Sequence, residues 1–322
     1  MSRAFITQLG PDYGDALRAG LGWVTGMSPI ARDATVFIKP NLTFPVYRKG
    51  VMTNPACVEA LVVALKDYTD RIVIGEADSG GYNRFSIDDV QEKIGLKALE
   101  KKYGVRVVNL SKLPRREIVI RSGRTSVQFP FPAALDEADV VFSVGVPKIH
   151  MNTLVSMSVK NLWGCIPETT ARLKLHPYLD DVLREVVRNL KRTVAVIDGR
   201  YGLNRSGPML GDPVDLNWLM MADNLYSADT ACCRLMQIDP SRVPYLRHDE
   251  PEPEWSQDWR PFVREKFYLK RAWTDYPGLW AFRSPALSYL AYFSPLAGVL
   301  HKLLYLFRKP FYDYDNPDRT HV

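Results

Sequence analysis

Lys148 and His150 stand two residues apart in the stretch VPKIHMNTLVSMSVKNLWGC (146–165), and Lys160-Asn161 follow ten residues after the histidine. Two ammonium groups and an imidazole gathered so closely suit an anion, because a carboxylate or phosphate accepts several N–H bonds at once. Imidazole also titrates near neutral pH, which fits it to move a proton beside such an anion. A solvated helix face for Lys160 and a hydrogen-bonded structural imidazole for His150 are the plain alternatives.

Three other places repeat the habit. Lys39 and Asn41 follow ATVFI, Glu76 and Asp78 close RIVIGEAD, and Asp198 and Arg200 follow TVAVI. Each pair is two apart at the end of an apolar run, hence on one face of an extended segment. Parallel strands gather such ends at one edge of a sheet, where ligands bind. The pattern predicts one shared cleft, with separately solvated strand ends as the alternative.

The glycine-rich stretches GEADSGGYN (75–83) and DGRYGLNRSGPMLG (198–211) read as loops that let backbone N–H groups approach an anion. Neither matches a phosphate-binding G-x-x-x-x-G-K-[ST] or a G-x-G-x-x-G opening a helix. His176 lies in a polar stretch. With His150 and Glu76, Asp78 or Asp198 it forms a candidate mixed ligand set for a divalent metal, though without helical ligand spacing. Asp223 and Asp229 are expected to cap the helix that carries Cys232 or to reach the cleft.

The elements that must hold these residues alternate. Strands are expected at 34–38, 71–77, 105–110, 139–146 and 193–197. Helices are expected at 55–68, with Asn54 as cap, and at 87–103, 152–163, 178–190 and 225–236. On the 152–163 helix, Ser156, Lys160 and Gly164 would share one stripe. A hairpin around Ser122-Gly123 interrupts the series between Arg116 and Phe131. The result is an α/β fold: a mostly parallel sheet flanked by helices in Rossmann-like layers, with a β-rich insertion and a hydrophobic, basic C-terminal tail.

The chain has 322 residues, long enough for one large core, and its net charge of +6 is concentrated. Between Pro261 and Lys309 eight basic residues oppose two acidic ones, so the rest is close to neutral. A nucleic-acid binder would spread that charge along a groove interleaved with aromatics, so nucleic acid is not expected as a partner. Cys57, Cys165, Cys232 and Cys233 show no C-x-x-C spacing and read as reduced thiols. No secretory apolar run opens the chain, which predicts a cytoplasmic location.

The series IKPNLT, GVMTNPACVEAL, GEAD, VPKIHMNTLVSMSVKNLWGCIP, KLHPYLDDV, IDGRYGLNRSGPMLGDP and MADNLYSAD resembles the family catalogued as domain of unknown function 362, over roughly residues 34 to 240. The resemblance points to Lys39, Asn41, Asn54, Glu76, Lys148, His150, Lys160, Asn161, Asp198, Gly207 and Asp229. Many members carry a ferredoxin-like module with clustered cysteines, which implies redox work. This chain lacks the cluster, so no intrinsic iron–sulfur centre is expected and electrons would come from an outside, ferredoxin-like donor.

The expected organisation is a body over 1–250 with the cleft and a linker and tail over 251–322. Ser284 to Phe307 (SPALSYLAYFSPLAGVLHKLLYLF) holds one lysine in 24 residues, is interrupted by Pro295 and has basic flanks. Such a segment fits the membrane interface better than a span, and packing on the body or in a homo-oligomer is the alternative. Together these features predict a cytoplasmic, membrane-peripheral enzyme acting on an anionic, small or lipid-linked substrate by acid-base or redox chemistry. His150, Lys160, Glu76, Asp78 and Asp198 would be its catalytic groups. Lys39, Asn41, Asn54, Lys148, Asn161, Gly207 and Asp229 would bind the substrate. A noncatalytic module binding an anionic ligand or a redox partner is the alternative.

Overall fold

A computed structural model describes residues 2–26, 28–80, 84–246 and 252–307. Their elements run β1 (Arg3–Gln8), α1 (Gly14–Thr25), β2 (Val36–Pro40), α2 (Pro55–Leu65), β3 (Ile72–Glu76), β4 (Ser79–Gly80), β5 (Arg84–Phe85), α3 (Ile87–Lys93), α4 (Ala98–Tyr103) and β6 (Arg106–Asn109). The hairpin β7 (Arg115–Ser122) and β8 (Thr125–Pro132) follows, then α5 (Ala133–Glu137), β9 (Val140–Gly145), β10 (Lys148–His150), β11 (Leu154–Ser156), α6 (Ser158–Asn161), α7 (Thr169–Leu175) and α8 (Leu179–Arg188). The order closes with β12 (Thr193–Asn204), β13 (Asp212–Ala222), α9 (Leu225–Leu235), β14 (Glu254–Trp255), α10 (Tyr276–Arg283), α11 (Pro285–Tyr292) and α12 (Ala297–Tyr305).

One ten-stranded sheet dominates, in the order β14-β1-β13-β12-β9-β2-β3-β6, with β10 and β11 attached beside β12. β12, β9, β2, β3 and β6 are mutually parallel, and β13 runs antiparallel between β12 and β1. The parallel strands are continuous apolar runs because helices cover both faces: every residue of β2, β3 and β9 is buried. Two apolar clusters result. One, with Phe37, Ile197 and Trp218, lies on one face; the other, with Val36, Ile38, Val194 and Val196, packs under α1 and α2.

The fold is the α/β sandwich expected, with β7 and β8 as the hairpin insertion. From β2 the chain winds outward through β3 to β6, then returns to place β9 on the other side of β2. Ligand crevices form where winding reverses in this way, outside the carboxyl ends of the strands. Lys39 and Ser143 pair in register across this junction.

Three local expectations are corrected. The helix expected over 87–103 divides into α3 and α4, because the chain passes through Gly95 at φ +80, a conformation that glycine adopts without strain. The helix expected over 152–163 begins as a hairpin, with Ser156 pairing with Lys148 in β10–β11, and becomes α-helical only over Ser158–Asn161. The loop expected over 198–211 begins as strand, since β12 continues to Asn204 before turning into β13. Residues 81–83 of the other glycine-rich stretch, the expected boundary at 250/251, and Arg308 and Lys309 lie outside the described residues.

Candidate functional site

Lys39, next to last in β2, has no exposed surface and donates to the Glu76 carboxylate at 2.5 Å, to the Pro40 carbonyl at 2.8 Å and to Asn161 Oδ1 at 3.2 Å. Glu76 ends the neighbouring β3 and accepts further from the backbone N–H of Leu42 and of Ala77, each at 3.3 Å. Burial raises its pKa while Lys39 opposes the rise. Asn161 ties the strands together: its amide nitrogen donates to the Lys39 carbonyl at 2.9 Å and to Ser143 Oγ at 3.1 Å. Gly164 passes so close that an added Cβ would strike the Glu76 carboxylate.

Asn41 links this ion pair to a second amine. Its Nδ2 donates to Asn161 Oδ1 at 3.2 Å, and its Oδ1 accepts from Lys148 Nζ at 3.0 Å. Lys148, 1% exposed, also donates to the Val51 carbonyl at 2.8 Å. Burial, with Lys160 and Lys39 adding repulsion, brings its pKa down to about 7. His150 is buried in the same hairpin, and its Nδ1 accepts from the Asn152 N–H at 3.1 Å. That bond assigns the ring hydrogen to Nε2. Burial and then Lys160 and Lys148 hold the imidazole well below its usual range, so it is neutral.

Lys160 sits on α6, whose start is fixed by Asp229. The Asp229 carboxylate accepts from Ser158 N at 2.8 Å, Ser158 Oγ at 2.5 Å and Val159 N at 3.0 Å, and from Tyr245 OH at 3.3 Å. Burial lifts Asp229 to about 7 against those donors. Asp229 therefore caps α6, while the helix that carries Cys232 is capped by Asn224; Asp223 instead accepts from Arg3 N at 2.8 Å. The Lys160 side chain is 7% exposed; its amine lies 5.8 Å from the centre of the Trp163 ring and has no hydrogen-bond or ion-pair partner among the described residues. Burial and the Arg172 guanidinium bring it to about 7, and Asp180 of α8 pulls the other way.

His176 packs behind Trp163, ring centroids 5.2 Å apart, and its Nδ1 meets the Arg172 carbonyl at 2.7 Å. Burial and Lys160 lower it to about 3. The two histidines thus hold separate backbone partners. Among the described residues no group of three or more His, Cys, Asp and Glu side chains is placed to hold a metal ion.

Hydrogen bonds therefore join Lys39, Asn41, Glu76, Lys148 and Asn161 into one buried polar cluster, with His150 and Lys160 beside it. Asp198 goes elsewhere. It shares strand parity with Val194 and Val196 and faces α1 and α2, where Tyr13 OH, Asn54 N and Arg200 N donate to it at 2.8, 2.8 and 3.2 Å. Asn54 caps α2 from the same side. Asp78 accepts from Asn109 Nδ2 at 2.8 Å and Ile87 N at 2.9 Å, holding the turn after β3. Gly207 lies against the Ile149 carbonyl where a Cβ has no room, and accepts from Met151 N at 3.0 Å. Arg172, Trp163 and Asp180 carried no signal in their spacing. Ser143 did: a hydroxyl inside the apolar run VVFSVG.

A mostly parallel α/β protein with a buried, lysine-rich polar cluster at the reversal of its winding is the class that these features define. The chain belongs to the family described as domain of unknown function (DUF362), whose model matches residues 36–234. It is 26% identical over 252 residues to a thylakoid-associated protein of Synechocystis sp., covering 73% of each chain. Among solved structures it is similar to the lactate racemase apoprotein of Thermoanaerobacterium thermosaccharolyticum, at 15% identity and a TM-score of 0.42 over 73% of this chain and 57% of that one. A Thermotoga maritima protein matches at 13% identity and a TM-score of 0.38, over 62% of this chain and 53% of that one. The chain thus spans little more than half the length of each solved structure.

Proposed function

We propose that this protein is an enzyme of a membrane surface that binds an anionic substrate, a carboxylate or phosphate on a small or lipid-borne molecule, between Lys148, His150 and Lys160, and moves a proton there. The observation that carries this reading is the charge balance of the cleft. Lys39 is matched by Glu76, whereas Lys148, Lys160 and Arg172 are buried together without an ion-pair partner among the described residues. Burying unmatched cations costs several kcal/mol, and a bound anion offsets that cost. Asn41 and Asn161 orient the amines, and Lys160 is the proton-transferring group, with the His150 Nε2–H as a hydrogen-bond donor beside it.

The membrane part rests on the tail. Of the fourteen large apolar side chains exposed among the described residues, twelve lie between Trp273 and Phe307. The thylakoid association of the Synechocystis relative supports the same placement.

Thermal unfolding with inorganic phosphate and with citrate tests the anion site. Saturable stabilisation at pH 6.5 is expected, lost in Lys148→Met and in Lys160→Met. Equal stabilisation of wild type and of the double variant would assign the effect to surface charge and overturn the reading.

A further inference from the structure

Lys160 is the one lysine of the cleft that the fold leaves without an acceptor. Lys39 has three and Lys148 has two, whereas Lys160 has only the Trp163 ring. An ammonium group carries three donors, and at 7% exposure Lys160 keeps little hydration and finds no protein acceptor among the described residues; a neutral amine loses less. Lys148 and Lys160 repel each other, so they titrate as a pair. The acceptors at Lys148 hold its proton there, and the amine released first is that of Lys160. Its lone pair is then free, on a short helix pinned by Asp229 and beside the Arg172 guanidinium.

We propose that Lys160 is a nucleophile that forms an imine with the carbonyl carbon of an anionic aldehyde or ketone, whose carboxylate or phosphate rests against Lys148 and Arg172. The inference rests on the anionic-substrate reading and narrows its substrate class. The Nζ lone pair adds to the carbonyl carbon as the C=O π pair moves to oxygen. Two protons pass from nitrogen to that oxygen, which leaves as water when C=N forms. No oxidant or reductant is consumed. The two protons come from the amine itself, and the Nε2–H of His150 is available as a hydrogen-bond donor to the departing oxygen. The imine withdraws electrons from the adjacent carbon, so proton removal there becomes easier.

Glyoxylate is a suitable probe, because two carbons fit a narrow opening and access does not decide the outcome. The full chain is incubated with glyoxylate and sodium cyanoborohydride at pH 7.5, and the adduct is located by intact mass and peptide mapping. Stabilisation by inorganic phosphate is measured in parallel. A single adduct on Lys160, forming at least tenfold faster than on any surface lysine and slowed by phosphate, is expected. Lys160→Arg should lose that adduct. Phosphate stabilisation with Lys160 unmodified would overturn the imine and leave the anion site standing. Neither stabilisation nor adduct would overturn both. An adduct on Lys160 that phosphate does not slow would overturn the anionic substrate class.

Discussion

Phe282 of α10 lies stacked on the imidazole of His176, ring centroids 4.0 Å apart and planes at 17°. Through His176 and Trp163 the C-terminal segment reaches the wall of the Lys160 cleft. Ser288 strengthens that contact by donating to the Leu173 carbonyl at 3.1 Å. Phe282→Ala should open the histidine to water and remove much of the burial that lowers it to about 3, moving its titration toward the ordinary 6.5. The imidazole proton resonance followed from pH 3 to 8 reads this directly. A midpoint unchanged in the variant would mean that Phe282 does not shield the ring.

The Lys39–Glu76 pair predicts a large and asymmetric cost. Glu76→Ala leaves an amine of 0% exposure without its counter-charge, and breaking a buried pair from one side costs about 3–5 kcal/mol. Replacing both, as Lys39→Met with Glu76→Leu, should recover part of the loss because no charge is stranded. Urea unfolding of the three proteins decides it. A Glu76→Ala midpoint equal to wild type would mean that Lys39 is neutral or solvated.

Gly164→Ala probes the same carboxylate from the other side. The new Cβ meets Glu76 Oε1 and comes within 3.0 Å of Lys39 Nζ, and the carboxylate is fixed by Leu42 N and Ala77 N. Overpacking of this kind costs about 1–3 kcal/mol. In the Glu76→Ala background the obstruction is gone, so a double-mutant cycle should show coupling between the two positions. Additive losses would place the strain elsewhere.

Lys160 gives the protein a pH signature. Its folded pKa of about 7 lies below the unfolded value of 10.5, so it contributes stability that is present above 10.5 and is lost as pH falls through 7. Compared with Lys160→Met, the wild type should therefore gain stability between pH 7 and 10, by up to about 1.4 kcal/mol per pH unit. Unfolding curves at pH 7, 8 and 9 test this. A constant difference between the two proteins would mean that Lys160 stays protonated and that Lys148 releases the proton.

What the sequence made legible follows from what is local. Continuous apolar runs announced β2, β3, β9 and the first half of β12, and the polar pairs just beyond them include Lys39, Asn41, Glu76, Lys148 and His150 of the buried cluster but also Asp78 and Asp198, which lie outside it. The hidden parts depend on distant partners. β1 and β13 are mutual neighbours more than 200 residues apart. α6 starts at Ser158 because Asp229, 71 residues later, accepts its N–H; the apolar spacing of LVSMSVKNLW alone reads as a longer helix. Asp198 and Lys39 both follow apolar runs, yet only the register between strands fixes which face each meets. Phe282 reached the site through tertiary packing that no spacing encodes.

The tail yields the last prediction. No helix among the described residues is long and apolar enough to cross a membrane. α11 and α12 have 8 and 9 residues, and at 1.5 Å per residue each spans less than half of the roughly 30 Å hydrocarbon layer. Val299, Leu303 and Leu306 are more than half exposed, with Lys302 between them, which suits an apolar face laid into lipid beside anionic headgroups. Val299→Glu with Leu303→Glu should abolish sedimentation with vesicles containing phosphatidylglycerol. The same variant should unfold close to the wild-type temperature, because both side chains are more than half exposed. Undiminished vesicle binding would move the contact away from α12, and a lowered melting temperature with no wild-type vesicle binding would identify this face as a protein contact.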